Sequence, residues 1–323
     1  MIYLILFLII LLLPFIIKNK KLYCIIISLS IILMVGLRNV NLGLHDTIFM
    51  YIPYFKSISK LSLYGVFEFT KSMGTEFVFY LMSYFISLFT KNIQIYLSIL
   101  SFIIYGLIGR HIYKYSKYPA ISFIMLISLN YFGYGFYMLR HMVALAILTL
   151  AYDGLVEEKS LKFLIMTLVA SLFHNSAIIF LIMYPISKLK LKKQLYIPII
   201  LLLFIFINVF GSNLLSVIFN LFSSGDHYYY YSIYGHGDTL TLFLLNFTLL
   251  IFLRLFANTK DKNEIINFKC QSVAVSLSMF VTYLSEFMRL ASFFSIYSIF
   301  LSYSPFIRIS HPCRQKCCPR PVP

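Results

Sequence analysis

The sequence predicts an all-α, polytopic integral membrane protein of roughly ten transmembrane or re-entrant helices. Three observations carry that expectation. Of 323 residues, 60% are hydrophobic and only 12% charged; soluble chains run near a quarter charged, so the apolar surplus has to face lipid. The apolar residues fall in long runs separated by short polar stretches. The formal charge of +16 is concentrated in those stretches, as in cytoplasmic loops, and no nucleic-acid partner is expected.

Taken in order, residues 2–17 have the length of a signal peptide but lack a basic leading segment and a small-residue cleavage site. Lys18, Lys20 and Lys21 follow the run, which predicts an uncleaved first span with its N-terminus outside. The next runs are 22–37, 76–90, 93–109, 119–136 and 141–156. Residues 162–187 form a longer run, with the polar sequence Phe173-His174-Asn175-Ser176 at its midpoint. Four more follow at 195–210, 239–257, 270–284 and 288–303. Several are shorter than the ~20 residues a spanning helix needs, so some are expected to be half-helices.

The positive-inside rule places the loops Arg110–Lys117, Glu157–Lys162, Lys188–Lys193 and Arg254–Lys269 in the cytoplasm. Run 162–187 then leaves and returns on one face and turns at the other, with His174 at the bend. Legs of about twelve residues are short for a normal bilayer unless it is thinned or protein shields them. Arg140, His174, the loop 211–238, Glu286 and Arg289 all come to face outward. One crossing stays open. With Lys18–Lys21 and Arg110 both inside, the stretch after Arg38 needs an odd number of crossings, yet runs 76–90 and 93–109 supply two. Either the aromatic stretch 47–70 dips into or through the membrane, or one of those runs does not span.

Residues 1–304 read as one transmembrane domain and 305–323 as a Pro/Cys-rich, disordered tail. The abrupt change of composition there also fits a truncated or frame-shifted gene end. His311, Cys313, Cys317 and Cys318 match no common zinc spacing, so no metal is expected. Disulfides are not expected to matter, since Cys24 and Cys270 lie at the edges of apolar runs.

Charges at or inside the membrane are costly and mark candidate sites. Arg38, Asp46, Tyr51 and Phe55 cluster at the mouth of the second run, as a site or as a snorkelling Arg with its partner. Arg140 opens a run containing Ala144, Ala146 and Ala151; a cation at a helix N-terminus makes an anion seat, and the small residues permit close helix approach. His174, beside Asn175 and Ser176, can act as a base or donate to a phosphate. Glu286 and Arg289, three apart, neutralise each other or take a direct part. The loop Gly225–Tyr231 suits sugar stacking and equally an interfacial loop. There is no phosphate-binding glycine loop, metalloprotease helix or nucleophile elbow. Any substrate should therefore arrive already activated, and no cofactor is called for.

Gly36-Leu37-Arg38, Gly43 and Asp46, Glu76-Phe77, Arg140 with Ala144 and Ala146, Phe173-His174-Asn175-Ser176-Ala177 and Arg289, in that order, resemble the EpsG/Wzy-type family of polysaccharide polymerases over about 36–300. The resemblance implies an inner-membrane glycosyltransferase joining polyprenyl-pyrophosphate-linked oligosaccharides into exopolysaccharide, capsule or O-antigen, with its active face outward. It implies that Arg38, Arg140 and Arg289 bind the pyrophosphate, while His174 with Asp46 or Glu76 activates the accepting hydroxyl. Membrane lipid, a flippase and a chain-length regulator are the implied partners. The charge-based topology puts these same groups on one face. The chain departs from the family pattern at the Gly43–Asp46 spacing, at His141 where Gln is common, and in its tail. Two other readings stay open: a flippase or transporter of lipid-linked oligosaccharide, for which no internal repeat is evident, and a membrane acyltransferase decorating the polysaccharide.

Overall fold

Small residues decide which helices pair. In the computed structural model, which describes residues 2–40, 46–222, 239–256 and 261–299, α2 (Lys20–Gly36) runs antiparallel to α6 (Ile93–Tyr115). A Cβ on Gly36 would lie 2.8 Å from Ser98 Cα, and one on Gly109 would lie 2.0 Å from Ser28 Oγ. The two backbones approach closely because these side chains are missing or small. At the start of the chain α1 (Ile2–Ile16) is tied to this pair by the Tyr23 hydroxyl, which donates to Ile10 O at 2.9 Å.

The open crossing is resolved by the segment between α2 and α6. It folds as a π-helical turn, Thr47–Tyr51, continuing into α3 (Ile52–Ile58), then α4 (Leu63–Ser72) and α5 (Phe77–Phe89). Lys91 Nζ donates to Ser59 O at 2.7 Å, and the Gln94 amide donates to Gly36 O. The segment therefore leaves and rejoins the bundle at one end. Run 76–90 does not pass through the bundle, and α6 alone carries the chain to the other end.

The run 119–136 is not one helix. α7 (Pro119–Ser128) stops where Asn130 takes φ +63°, and α8 (Tyr131–Tyr134) follows the reversal. α9 (Leu139–Val156) is buried nearly throughout, which puts it at the centre of the bundle. Ala144, Ala146 and Ala151 are fully buried there. A Cβ on Gly154 would meet Phe163 N at 2.6 Å, so α9 lies directly against α10 (Ser160–Phe173).

The run 162–187 is the expected hairpin, bent at His174. Its return leg is a 3₁₀ stretch, Asn175–Ile182, followed by α11 (Met183–Lys188). Its feet meet where Ser160 Oγ and Tyr184 OH lie 3.1 Å apart. A 3₁₀ helix rises ~2.0 Å per residue against 1.5 Å in an α-helix, which lengthens the return leg to about 25 Å.

A second, smaller core joins α12 (Lys193–Phe222) and α13 (Thr239–Phe256) to α14 (Lys262–Ser278) through Tyr196, Ile207, Phe243, Leu250, Phe268 and Val275. α14 presents Cys270 and Ala274 to the main core instead; Cys24 and Cys270 are free and buried. The expected loop Arg254–Lys269 is corrected here, because helix begins at Lys262, where Asp261 accepts from Asn263 N at 3.0 Å. Burial of its polar first turns is made possible by partners such as the Tyr152 hydroxyl, which donates to Asn263 O at 2.9 Å. The described chain ends with α15 (Glu286–Ser295) and a 3₁₀ turn, Ile296–Ile299.

The all-α expectation holds among the described residues, but the expected span number does not emerge. Among the described residues three helices, Ile93–Tyr115, Leu139–Val156 and Gln194–Gly211, are long and apolar enough to cross a membrane, and the other apolar helices are of 10–17 residues. The tail 305–323, Gly43 and the loop Gly225–Tyr231 lie outside the described residues.

Candidate functional site

The site is built around Glu76, and local chain geometry delivers that residue. α4 ends in a Schellman motif: Thr75 N donates to Thr70 O (3.1 Å) and Gly74 N to Lys71 O (3.3 Å), with Gly74 at φ +59°. The reversal places Glu76 as the residue capping the N-terminus of α5. A carboxylate there benefits from the positive end of the helix.

Each oxygen of Glu76 has a cationic or N–H partner. Oε2 pairs with Arg140 Nη1 from the first turn of α9. Oε1 accepts from His174 Nδ1 at 3.0 Å and from Asn175 N at 3.4 Å. Burial opposes the charge on Glu76, but the His174 hydrogen bond and the Arg140 charge outweigh it and hold its pKa at about 2. With Nδ1–H committed to Glu76, Nε2 of a neutral His174 is left as the proton acceptor.

Arg140 is set from several sides. Its backbone N–H donates to Tyr51 OH at 3.4 Å, and its guanidinium carbon stands 6.0 Å from the Tyr51 ring centre. Its Nε is buried and has no hydrogen-bond partner among the described residues, and the same holds for the Tyr80 hydroxyl one helical turn beyond Glu76. The π-helical turn presents Tyr51 to Arg140.

The next layer comes from α15. Ser292 Oγ donates to Arg289 O at 2.7 Å, so its oxygen accepts from His141 Nε2 at 2.8 Å. The His141 and His174 rings meet edge-on with centroids 5.5 Å apart, and Phe293 lies 4.3 Å from His141. Arg289 Nη1 pairs with Glu286 Oε2 at 3.0 Å, with both side chains partly exposed.

Of the six residues singled out from sequence, Glu76, Arg140 and His174 are in direct contact. Arg289 belongs to the adjacent turn, through Ser292 and His141. Asp46 immediately precedes the turn that carries Tyr51. Arg38 is differently placed: its guanidinium is buried and donates to Val35 O (2.8 Å), Gly135 O (3.5 Å) and Phe136 O (3.0 Å). Thr47 Oγ1 donates to Phe136 O as well. Arg38 thus ties the end of α2 to the chain entering α9. His141, Ser292 and Tyr80 were not picked out as site residues by sequence reasoning. The signal for His141 was its place directly after Arg140; Ser292 and Tyr80 lie in runs rich in Ser and Tyr and gave none.

At this end of the bundle, a carboxylate-oriented imidazole therefore stands beside a guanidinium with an unused donor. Such a set can take a proton from a hydroxyl and stabilise an anion in the same event. No curated protein matches the chain, and no solved structure does. The model of the EpsG family matches residues 21–318, a span that contains all six residues above. The chain belongs to the EpsG family.

Proposed function

We propose that this protein is a membrane polymerase that joins polyprenyl-pyrophosphate-linked oligosaccharides into an extracellular, capsular or O-antigen polysaccharide. The observation that carries the reading is the division of the Glu76 carboxylate between Arg140 and His174. Glycosyl transfer from a pyrophosphate needs a base at the acceptor and positive charge at the leaving group, and this cluster offers both.

In the proposed reaction, the anomeric carbon of one lipid-linked chain bonds to a hydroxyl oxygen of a second lipid-linked oligosaccharide. The bond from that carbon to the pyrophosphate oxygen breaks, and its electron pair leaves on the polyprenyl pyrophosphate. His174 Nε2 takes the hydroxyl proton while Glu76 holds the ring in the required tautomer, the logic of a carboxylate–histidine pair. Arg140, through its unpartnered Nε, and Arg289 meet the charge that develops on the pyrophosphate; an arginine fork matches phosphate oxygens without a metal. Arg38 acts at one remove, by fixing the carbonyls of Gly135 and Phe136 ahead of Arg140. The reading places the site on the outward side of the cytoplasmic membrane, served by a flippase and a chain-length regulator.

The test is the polysaccharide made by cells carrying single variants. His174→Ala and Arg140→Ala should abolish long chains while lipid-linked single repeats accumulate, with the variant protein still present in the membrane. Normal chain length in both would overturn the polymerase reading. Normal chains lacking a substituent would support an acyltransferase, and repeats retained on the inner leaflet a flippase.

A further inference from the structure

The opposite end of the bundle holds an open cavity of about 840 Å³, lined by the end of α9, the feet of α10 and α11, the loop 189–192 and the start of α14. Five lysines line it: Lys188, Lys190, Lys192, Lys262 and Lys269. Among the described residues Glu158 is the one carboxylate in the lining, and Lys262 engages it at 2.5 Å. Behind the lysines the wall is apolar, formed by Leu155, Phe163, Ile265 and Ile266.

The lysines are differently employed. Lys269 is only 6% exposed; its Nζ donates to Ser187 O (2.7 Å) and Leu189 O (2.9 Å) and holds the loop against α14. Lys188 Nζ reaches the Tyr184 hydroxyl at 2.7 Å. Lys190 and Lys192 have no carboxylate partner among the described residues. The loop alternates charge and hydrocarbon, Lys188-Leu189-Lys190-Leu191-Lys192, and Leu189 and Leu191 are both exposed. This pattern suits a membrane boundary, where leucines enter the acyl layer and lysine stems reach back to headgroups. A cavity for a soluble anion needs neither the exposed leucines nor the apolar wall.

We propose that this cavity is a binding site for an anionic phospholipid, its phosphate seated among Lys188, Lys190 and Lys192 and its acyl chains directed along the leucine-bearing surface. Basic pockets between helix ends on the positively charged side of a membrane protein take such headgroups by charge complementarity. The site is remote from Glu76, and the inference does not depend on the polymerase reading.

The experiment uses the full chain, delipidated in neutral detergent, titrated with phosphatidylglycerol or phosphatidylcholine and read by native mass spectrometry. Wild-type protein should bind phosphatidylglycerol about tenfold more tightly than phosphatidylcholine. The triple variant Lys188→Gln, Lys190→Gln, Lys192→Gln should lose that preference. A triple Lys56→Gln, Lys60→Gln, Lys71→Gln, at the other end of the bundle, should keep it. Lys190→Gln alone removes a side chain with no ion pair or hydrogen bond among the described residues, and should weaken the preference about threefold, so a misfolded triple variant does not end the test. An unchanged preference in Lys190→Gln and in a folded triple variant would overturn the proposal. So would displacement of phosphatidylglycerol by inorganic phosphate at equal concentration, which would mark the cavity as a soluble-anion site.

Discussion

Glu76 and His174, 98 positions apart in the chain, are joined by a hydrogen bond of 3.0 Å in which the imidazole donates from Nδ1. The pair exists because two different chain reversals, the Schellman turn at Gly74 and the hairpin bend at His174, end at the same level of the bundle. Arg140 on the other carboxylate oxygen completes a charge cluster that no single helix could assemble.

This cluster has a definite acid limit. Glu76 titrates at about 2 in the folded protein against an ordinary value of 4.5, so its contribution to stability is complete above about 4.5 and is lost as pH falls through about 2. Glu76→Gln, which leaves Arg140 without its counter-charge, should cost about 3 kcal/mol at neutral pH. The gap between wild-type and Glu76→Gln melting temperatures in detergent should close as pH falls from about 4.5 towards about 2. A gap unchanged at pH 3 would show that the carboxylate charge does not hold the cluster.

Gly74 should be replaceable by Asn but not by Val. A Cβ there would meet no atom within 4 Å, so the only obstacle is φ +59°. Asn enters that region readily, whereas a β-branched residue is strained by about 1–2 kcal/mol. Gly74→Val should therefore lower both the melting temperature and polymer yield, by displacing Glu76, while Gly74→Asn keeps both near wild type. Equal behaviour of the two variants would count against the turn as the device that positions Glu76.

Two helical glycines should respond with opposite sign. At Gly154 a methyl group would press on Phe163 N and Cα, backbone atoms that cannot yield, and Gly154→Ala should destabilise by about 1–3 kcal/mol. At Gly106, within α6, the same methyl group meets nothing within 4 Å, and Gly106→Ala should stabilise by about 0.5–1 kcal/mol. Melting curves of the two purified variants in one detergent check both statements.

Asp153 should prove structural. It is fully buried, accepts from Arg110 Nη2 at 2.8 Å and Tyr115 OH at 2.7 Å, and lies 3.1 Å from Lys114 Nζ. These contacts fasten α6 to α9. Asp153→Asn retains the shape but removes the charge; because Arg110 and Lys114 keep part of their hydration, the cost should be about 2–3 kcal/mol. The variant should be less abundant, yet polymer made per molecule of membrane-inserted protein should match wild type, in contrast to Glu76→Gln.

Much of this arrangement was legible in the sequence, for reasons that can be named. The polar insert Phe173–Ser176 interrupts an apolar run between two basic loops, and the hairpin bend lies there. Alanines at 144, 146 and 151 mark a helix that others approach closely, and α9 is such a helix. The segment 47–92 was not legible, because its aromatic residues suit a spanning helix and a set of short packed helices equally well. The start of α14 was missed because Lys262, Glu264 and Lys269 read as loop charge until Glu158, Lys117 and the carbonyls of Ser187 and Leu189 are seen to be their respective partners. In the site, Arg140 and His174 stood out as charge and imidazole where lipid should exclude them, but the choice of Glu76 over Asp46 as their partner depends on a chain reversal with only Gly74 as its sign. Arg38 shows the converse: its residue type suggests an anion seat, while the nearby carbonyls of Val35, Gly135 and Phe136 occupy it.

α9 bears Arg140 in its first turn and Asp153 near its last, about 20 Å apart along the axis. Each is locked to a different helix, through Glu76 at one end and Arg110 at the other. Sliding α9 by even one residue would break ion pairs at both ends together, so it serves the bundle as a stator with fixed axial register. If the proposed polymerase reading holds, the displacement that admits a lipid-linked chain is taken up around α9, by elements such as α12 and α13 that pack in the separate, smaller core.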